Sequence, residues 1–495
     1  MAKRTKRRGA GKRARREATK KTRRPATPTN INAWQDDPMG LPAITRPVPD
    51  PAAPPLKFKI KSAAPAAGAY ATGTPEFRYW AAAEALRRCA DFWAPILALS
   101  RWQPGATLKV GLDEGVELNA YYDRKELAFF HQPIKEGTVV YSGESPDVLC
   151  HEMGHACLDA HRPQLFDAPF IEVAAFHESF GDMSAILCAL QLPSVRAAAM
   201  ADLKAGRSSA LSRVAEQLGW AIRQESPDSV DPNCLRDACN SFQYVDPNTL
   251  PFRTPASQLS SEAHSFSRIF TGAFHSILSG MLAIRSSTPR DSDLAGAAAD
   301  AARLLASATA VGAAPVQPTY YAQVASHMID ADTADFGGKY RSVLARVFVD
   351  RKILPPAAVQ PLLRSTGKLA IRPSGFAAAG AKDFLPARAS FQTFRLPARG
   401  LGMSGPGWLV EAPLERRPFL QVAASVLPQS ADSATMVEQA ASQFARMLVA
   451  NGRVATARAT GKARAAGIAA RDTRRKSHEL VRTPDGPKLV RLNFD

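Results

Sequence analysis

Apolar residues recur at helical spacing through much of this chain. Between positions 75 and 99, Tyr79, Trp80, Ala83, Leu86 and Ala90 share one face, which predicts an amphipathic helix with that face buried. Strands are expected near Leu108–Leu112 and Ala128–His131, where short apolar runs interrupt the helical pattern. Beyond Phe176 the pattern is mostly helical, up to a helical close over Tyr340–Leu354, and the alanine-rich run Ala297–Ala306 reads as packed helix. Pro- and Gly-rich connections then lead to a helix over Thr435–Ala450 and a short strand over Lys488–Phe494. The fold class implied is α+β in two lobes. A mixed N-terminal lobe covers 57–160, a helical lobe covers 161–355, and a cleft lies between them. Residues 356–495 form an extension to which the sequence assigns no role. No membrane span is expected, because the best candidate, Leu294–Val316, is broken by Asp300 and Arg303.

Charge changes this picture only at the ends. The 495 residues carry a net +18. Residues 1–24 hold 13 Lys or Arg against the single Glu17, and 453–482 hold nine against Asp472 and Glu479, so the rest is close to neutral. A neutral body with cationic arms argues against a fold built around a nucleic-acid groove, although the arms suit an anionic partner such as nucleic acid or a membrane surface. Nine prolines between Pro25 and Leu56 predict an extended spacer, so residues 1–56 read as a disordered basic tail plus spacer. The tail has no apolar run of secretory type, which favours the cytoplasm.

The six cysteines, at 89, 150, 157, 188, 234 and 239, include no CxxC pair, and buried free thiols are the expectation. Only Cys234 and Cys239 are close enough in sequence to suggest a local disulfide.

One motif carries chemistry. Asp147–Leu158 reads Asp-Val-Leu-Cys-His-Glu-Met-Gly-His-Ala-Cys-Leu, with Pro146 placed at a helix start. His151 and His155, at i and i+4, share one helix face and can hold one zinc ion, while Glu152 projects beside the open coordination position. In a second helical stretch, residues 175–186, Glu178 and Asp182 are again i and i+4. Glu178 can complete a His-His-Glu set, and Asp182 can accept the outer N–H of a ligating histidine.

These motifs make the chain resemble the thermolysin-like gluzincin zinc peptidases, from roughly Pro75 to Leu354. Asn119-Ala120-Tyr121-Tyr122 is similar to the family's substrate-binding edge strand, Leu127–His131 to the strand after it, and Asp147 to an acidic family position. Leu235-Arg236-Asp237 resembles a segment whose arginine contacts the substrate carbonyl. Ala263–Phe274 resembles the helix that carries the oxyanion-stabilising histidine, here His264. The resemblance implies a two-lobed metallopeptidase with one Zn2+, a peptide or protein substrate, Glu152 and His264 as catalytic groups, and Asn119, Ala120 and Arg236 at the substrate.

The chain also departs from the family pattern. Phe166 stands near the place of an assisting tyrosine, His177 replaces an asparagine before the third ligand, and Leu259 occupies a carboxylate position that Glu262 can serve instead. Ala189–Met200 has no Asp or Glu, so no calcium is expected. Two other function classes remain at this stage: a catalytically inactive binding protein on the same fold, and an anion-binding protein acting through its basic arms.

Overall fold

The structure, a computed structural model, describes residues 30–134, 137–311, 320–364, 390–403, 405–414, 433–455 and 476–494. The basic tail 1–24 and most of the second basic stretch lie outside them. The protein is a mixed α+β chain.

It enters through an antiparallel hairpin, β1 (Asn30–Ala33) and β2 (Ile44–Pro47). Ile31 and Ala33 are fully buried, and β1 packs on the first long helix. The proline-rich stretch expected as a spacer is thus folded against the first long helix from Asn30 onward. Its prolines from Pro38 onward sit in turns, bends and loops or at a strand end, where a missing N–H costs no ladder bond.

After β3 (Lys57–Ile60) comes α1 (Pro75–Ile96), as its apolar spacing predicts. Thr74 caps α1 by accepting from Phe77 N, with Pro75 at the first position. The strands β4 (Thr107–Gly111), β5 (Ala120–Tyr122) and β6 (Glu126–Phe129) complete a four-stranded sheet in the order β3-β4-β6-β5. The pairs β3–β4 and β4–β6 are parallel, whereas β5 is antiparallel and occupies an edge. A hairpin, β7 (His131–Pro133) and β8 (Val139–Tyr141), leads into α2 (Pro146–His161).

The rest of the central region is helical: α3 (Gln164–Asp167), α4 (Ile171–Ala189), α5 (Pro193–Ala205), α6 (Glu216–Arg223), α7 (Ala263–Arg285), α8 (Asp291–Val311), α9 (Tyr320–Phe336), α10 (Arg341–Asp350) and α11 (Pro356–Arg364). Two short strands, β9 (Arg213–Val214) and β10 (Arg236–Asp237), pair antiparallel among them. Every residue of α4 is buried, with α2 and α7 against it. Its apolar composition therefore reflects a core position, and no single helix among the described residues is long and apolar enough to cross a membrane.

The extension beyond residue 355 builds a five-stranded sheet from β11 (Ser390–Leu396), β12 (Trp408–Leu414), β13 (Val454–Ala455), β14 (His478–Thr483) and β15 (Gly486–Arg491), in the order β11-β12-β15-β14-β13. The helix Ser433–Ala450 packs on this sheet. Past β15 the chain reaches back to the four-stranded sheet, where Phe494 forms an antiparallel bridge with Tyr122 of β5.

Candidate metal centre

The site begins with a helix start. Ser145 accepts from Val148 N and Pro146 opens α2, which fixes the pitch on which His151 and His155 fall one turn apart. Two glycines then let α2 and α4 approach closely. A Cβ on Gly154 would lie 2.6 Å from Ser184 Oγ, and one on Gly181 would lie 2.6 Å from the His151 ring. At this separation Glu178 reaches both histidines, and one ligand atom from each of His151, His155 and Glu178 lies within 4.8 Å of the others. Glu178 Oε2 is 3.3 Å from His151 Nε2, 3.7 Å from His155 Nε2 and 3.3 Å from His264 Nε2.

Each of these histidines is held from behind. His151 Nδ1 lies 3.0 Å from Asp182 Oδ1, and Arg236 donates to both oxygens of that carboxylate, at 2.7 and 3.0 Å. His155 Nδ1 lies 2.8 Å from His177 Nδ1. His264 Nδ1 lies 2.7 Å from Glu262 Oε1, and the other oxygen of Glu262 caps α7 through Ser265 N. Glu262 thus both supports His264 and caps its helix. Arg236, expected beside a substrate carbonyl, is buried as the anchor of Asp182.

Burial alone would raise the Asp182 carboxyl, but Arg236 and His151 hold it well below the usual carboxylate range. Burial, with the neighbouring His151 and His177, keeps the His155 imidazole well below its ordinary value, so it is neutral and ready to bind a cation. Burial would lower His264 too, yet the charges of Glu178 and Glu262 raise it to about 10. With a divalent cation on Glu178, Glu262 is the carboxylate that continues to favour the charged form.

Three observations fit a metal. His155 Nε2 is buried without a hydrogen-bond partner, and it faces Glu178 Oε2 at a distance too long for a hydrogen bond. The donor set is two imidazoles and a carboxylate, which suits zinc. The outer nitrogens of both imidazoles are engaged, which turns the inner nitrogens toward Glu178 Oε2. Glu152, one position along from His151, is buried in the same helix. The cluster is wettest at His264 and Glu262, whose side chains are 29% and 31% exposed, so solvent reaches it from that side.

Asn119 and Ala120 lie at β5, above α2. Asn119 Oδ1 accepts from Ala120 N, and the Asn119 carbonyl accepts from Ser142 Oγ. Phe166 has Tyr122 edge-on and the Arg124 guanidinium over its ring, with no hydroxyl to offer. Sequence reasoning missed the contribution of the extension. Phe494 stacks on His177 at 4.0 Å between ring centroids and on His155 at 5.2 Å, and Arg491 covers the Phe494 ring. Arg453 and His478, with Phe494, line the cavity beside Glu178, Glu262 and His264. A terminal strand was legible there, but nothing in its pattern tied it to the histidines.

A second convergent group, Cys89, Cys150 and Cys188, draws one thiol from each of α1, α2 and α4. Two of these thiols donate to backbone carbonyls, Cys89 to Cys150 O and Cys150 to Ala85 O, as packed core cysteines do. All six cysteines are free, so the pairing suggested for Cys234 and Cys239 is not formed; Cys239 donates to Gly206 O instead.

No protein-family model matches the chain, and no curated protein matches it.

Proposed function

We propose that this protein is a zinc-dependent peptidase of the thermolysin-like gluzincin type, with His151, His155 and Glu178 as the metal ligands. The observation that carries the reading is the convergence of three buried ligand atoms from α2 and α4, one of them an imidazole nitrogen without a partner. Zinc held there would supply Lewis acidity, bringing the pKa of a bound water toward neutrality and polarising a peptide carbonyl.

The remaining chemistry belongs to the chain. Glu152 takes the proton of the attacking water and returns it to the leaving amine, acting as base and then as acid. His264, kept cationic by Glu262, donates to the carbonyl oxygen as charge builds on it, a contribution of about 3 kcal/mol for a well-placed donor. Arg236 acts through Asp182, which fixes the orientation of His151. Phe166 offers no donor, so oxyanion stabilisation falls to His264.

Metal analysis of the purified chain, paired with digestion of casein and a peptide library, tests the reading. The expected result is about one zinc per chain and cleavage that Glu152→Gln abolishes with the zinc retained. A chain that takes up no zinc overturns it. A chain that binds zinc and peptide but cleaves nothing supports the inactive binding protein instead.

A further inference from the structure

The free edge of β5 is already in use. β5 is the terminal strand of its sheet, and Tyr121 faces β6 in the register Tyr121↔Ala128. The N–H and C=O of Tyr122 point the other way and exchange two hydrogen bonds of 2.9 Å with Phe494. The Phe494 ring is 2% exposed. It lies flat against His177 (14° between planes) and closely parallel to His155, under the Arg491 guanidinium. Tyr122 is itself fixed, its hydroxyl donating to Asp159 near the end of α2. This is the geometry by which an extended peptide joins a sheet edge, with the chain's own segment as the peptide.

Polarity makes the consequence specific. The bridge is antiparallel, so the segment travels along β5 from Tyr122 toward Ala120. Backbone groups two residues apart face the same edge, so the Ala120 carbonyl presents the next pairing group on that line, the Ala120 N–H being held by Asn119 Oδ1. A peptide pairing at Ala120 in the same direction meets Phe494 on its N-terminal side.

We infer that Phe494 and the strand leading to it block the upstream end of the peptide-binding edge, so that the site accepts peptides with little or no extension on their N-terminal side and tolerates C-terminal extension. Phe494 is then a specificity-determining residue. The inference rests on the peptidase reading for its substrate class, peptides, but its geometry does not depend on catalysis.

Binding to the full chain carrying Glu152→Gln tests it without turnover. Two fluorescent peptide pools share a common core; one is lengthened by five residues at the N-terminus and the other by five at the C-terminus. The C-terminally extended pool is expected to bind at least tenfold more tightly. Adding Phe494→Ser should remove that difference by improving the N-terminally extended pool. Amide hydrogen exchange at Tyr122, slow in the parent and fast in the variant, confirms that the edge has been freed while the rest stays folded. Equal affinities in the parent, or an unchanged ratio once the Tyr122 amide is freed, overturn the inference. Asn493→Pro, which perturbs the approach and keeps the ring, provides a second variant if Phe494→Ser fails to fold. Zinc content and cleavage by the unsubstituted chain are read separately. A chain that discriminates the pools but holds no zinc refutes the peptidase and keeps the blocked edge, whereas a zinc peptidase indifferent to N-terminal extension does the reverse.

Discussion

His155 and His177 face each other through their Nδ1 atoms at 2.8 Å, and only one of the two can carry the shared hydrogen. With a cation on His155 Nε2, that nitrogen keeps its lone pair for the metal, so Nδ1 carries the proton and donates to His177. His177 is therefore an acceptor at Nδ1 and must be neutral. Its burial, with Arg491 and Arg124 nearby, holds its pKa well below the ordinary value and keeps it so. His177→Asn should preserve zinc binding, because an amide oxygen can accept in place of Nδ1. His177→Ala should weaken zinc about 10- to 100-fold, the usual loss for a partner of this kind. Competition with a fluorescent chelator measures both; equal losses in the two variants would refute the acceptor role.

The Asp182–Arg236 pair is buried and bidentate, so removing one member leaves the other charged and uncompensated. Arg236→Ala should cost about 3–5 kcal/mol of folding stability in denaturant. Zinc affinity should fall as well, since a carboxylate released toward protonation no longer orders His151. If Arg236 served substrate alone, stability would not change and only KM would rise.

Much of this centre was legible because helical spacing is local. The i, i+4 pairs His151/His155 and Glu178/Asp182 declare a shared face whatever the tertiary fold, and Pro146 marks where the first helix starts. The parts that could not be read depend on distant packing. Asn30–Pro47 looks like a spacer because proline suits both a linker and an edge hairpin, and only the burial of Ile31 and Ala33 against α1 separates the two. Phe494 likewise belongs to a short terminal strand whose alternation says nothing about which edge it will join. The close approach of α2 and α4 also left a readable trace, the Gly in His-Glu-Met-Gly-His, but its counterpart Gly181 has meaning only once the two helices are packed.

That packing gives a prediction with a definite sign. Gly→Ala within a helix ordinarily stabilises by about 1 kcal/mol. At Gly181 the new methyl would sit 2.6 Å from the His151 ring, which is fenced by Asp182 and cannot move without losing that bond. Gly181→Ala should therefore destabilise the fold and weaken zinc by at least tenfold. Thermal unfolding with and without excess zinc would show it, and a variant as stable and as metal-competent as the parent would contradict the close helix contact.

Asp36 and Asp37, on the segment after β1, are buried against Asp147 at the start of α2 and Glu216 of α6. Burial, reinforced by the neighbouring carboxylates, raises Asp36 to about 7 and Asp37 to about 6. Their unfolded values lie near 3.8. A folded pKa above the unfolded one means that the folded state holds the proton more tightly. The stability from these protons is complete below about pH 4 and is lost as pH rises through 6 and 7, at about 1.4 kcal/mol per unit of difference for each group. Asp36→Asn supplies an amide whose oxygen can accept from the protonated Asp147 as the Asp36 carboxyl does, without a proton to lose. The variant should gain stability relative to the parent steadily between pH 5 and 8, and the comparison cancels any metal loss at low pH common to both chains. Denaturant unfolding at several pH values measures the gap. A gap that stays constant with pH, or narrows as pH rises, would show that these carboxylates are ionised in the fold.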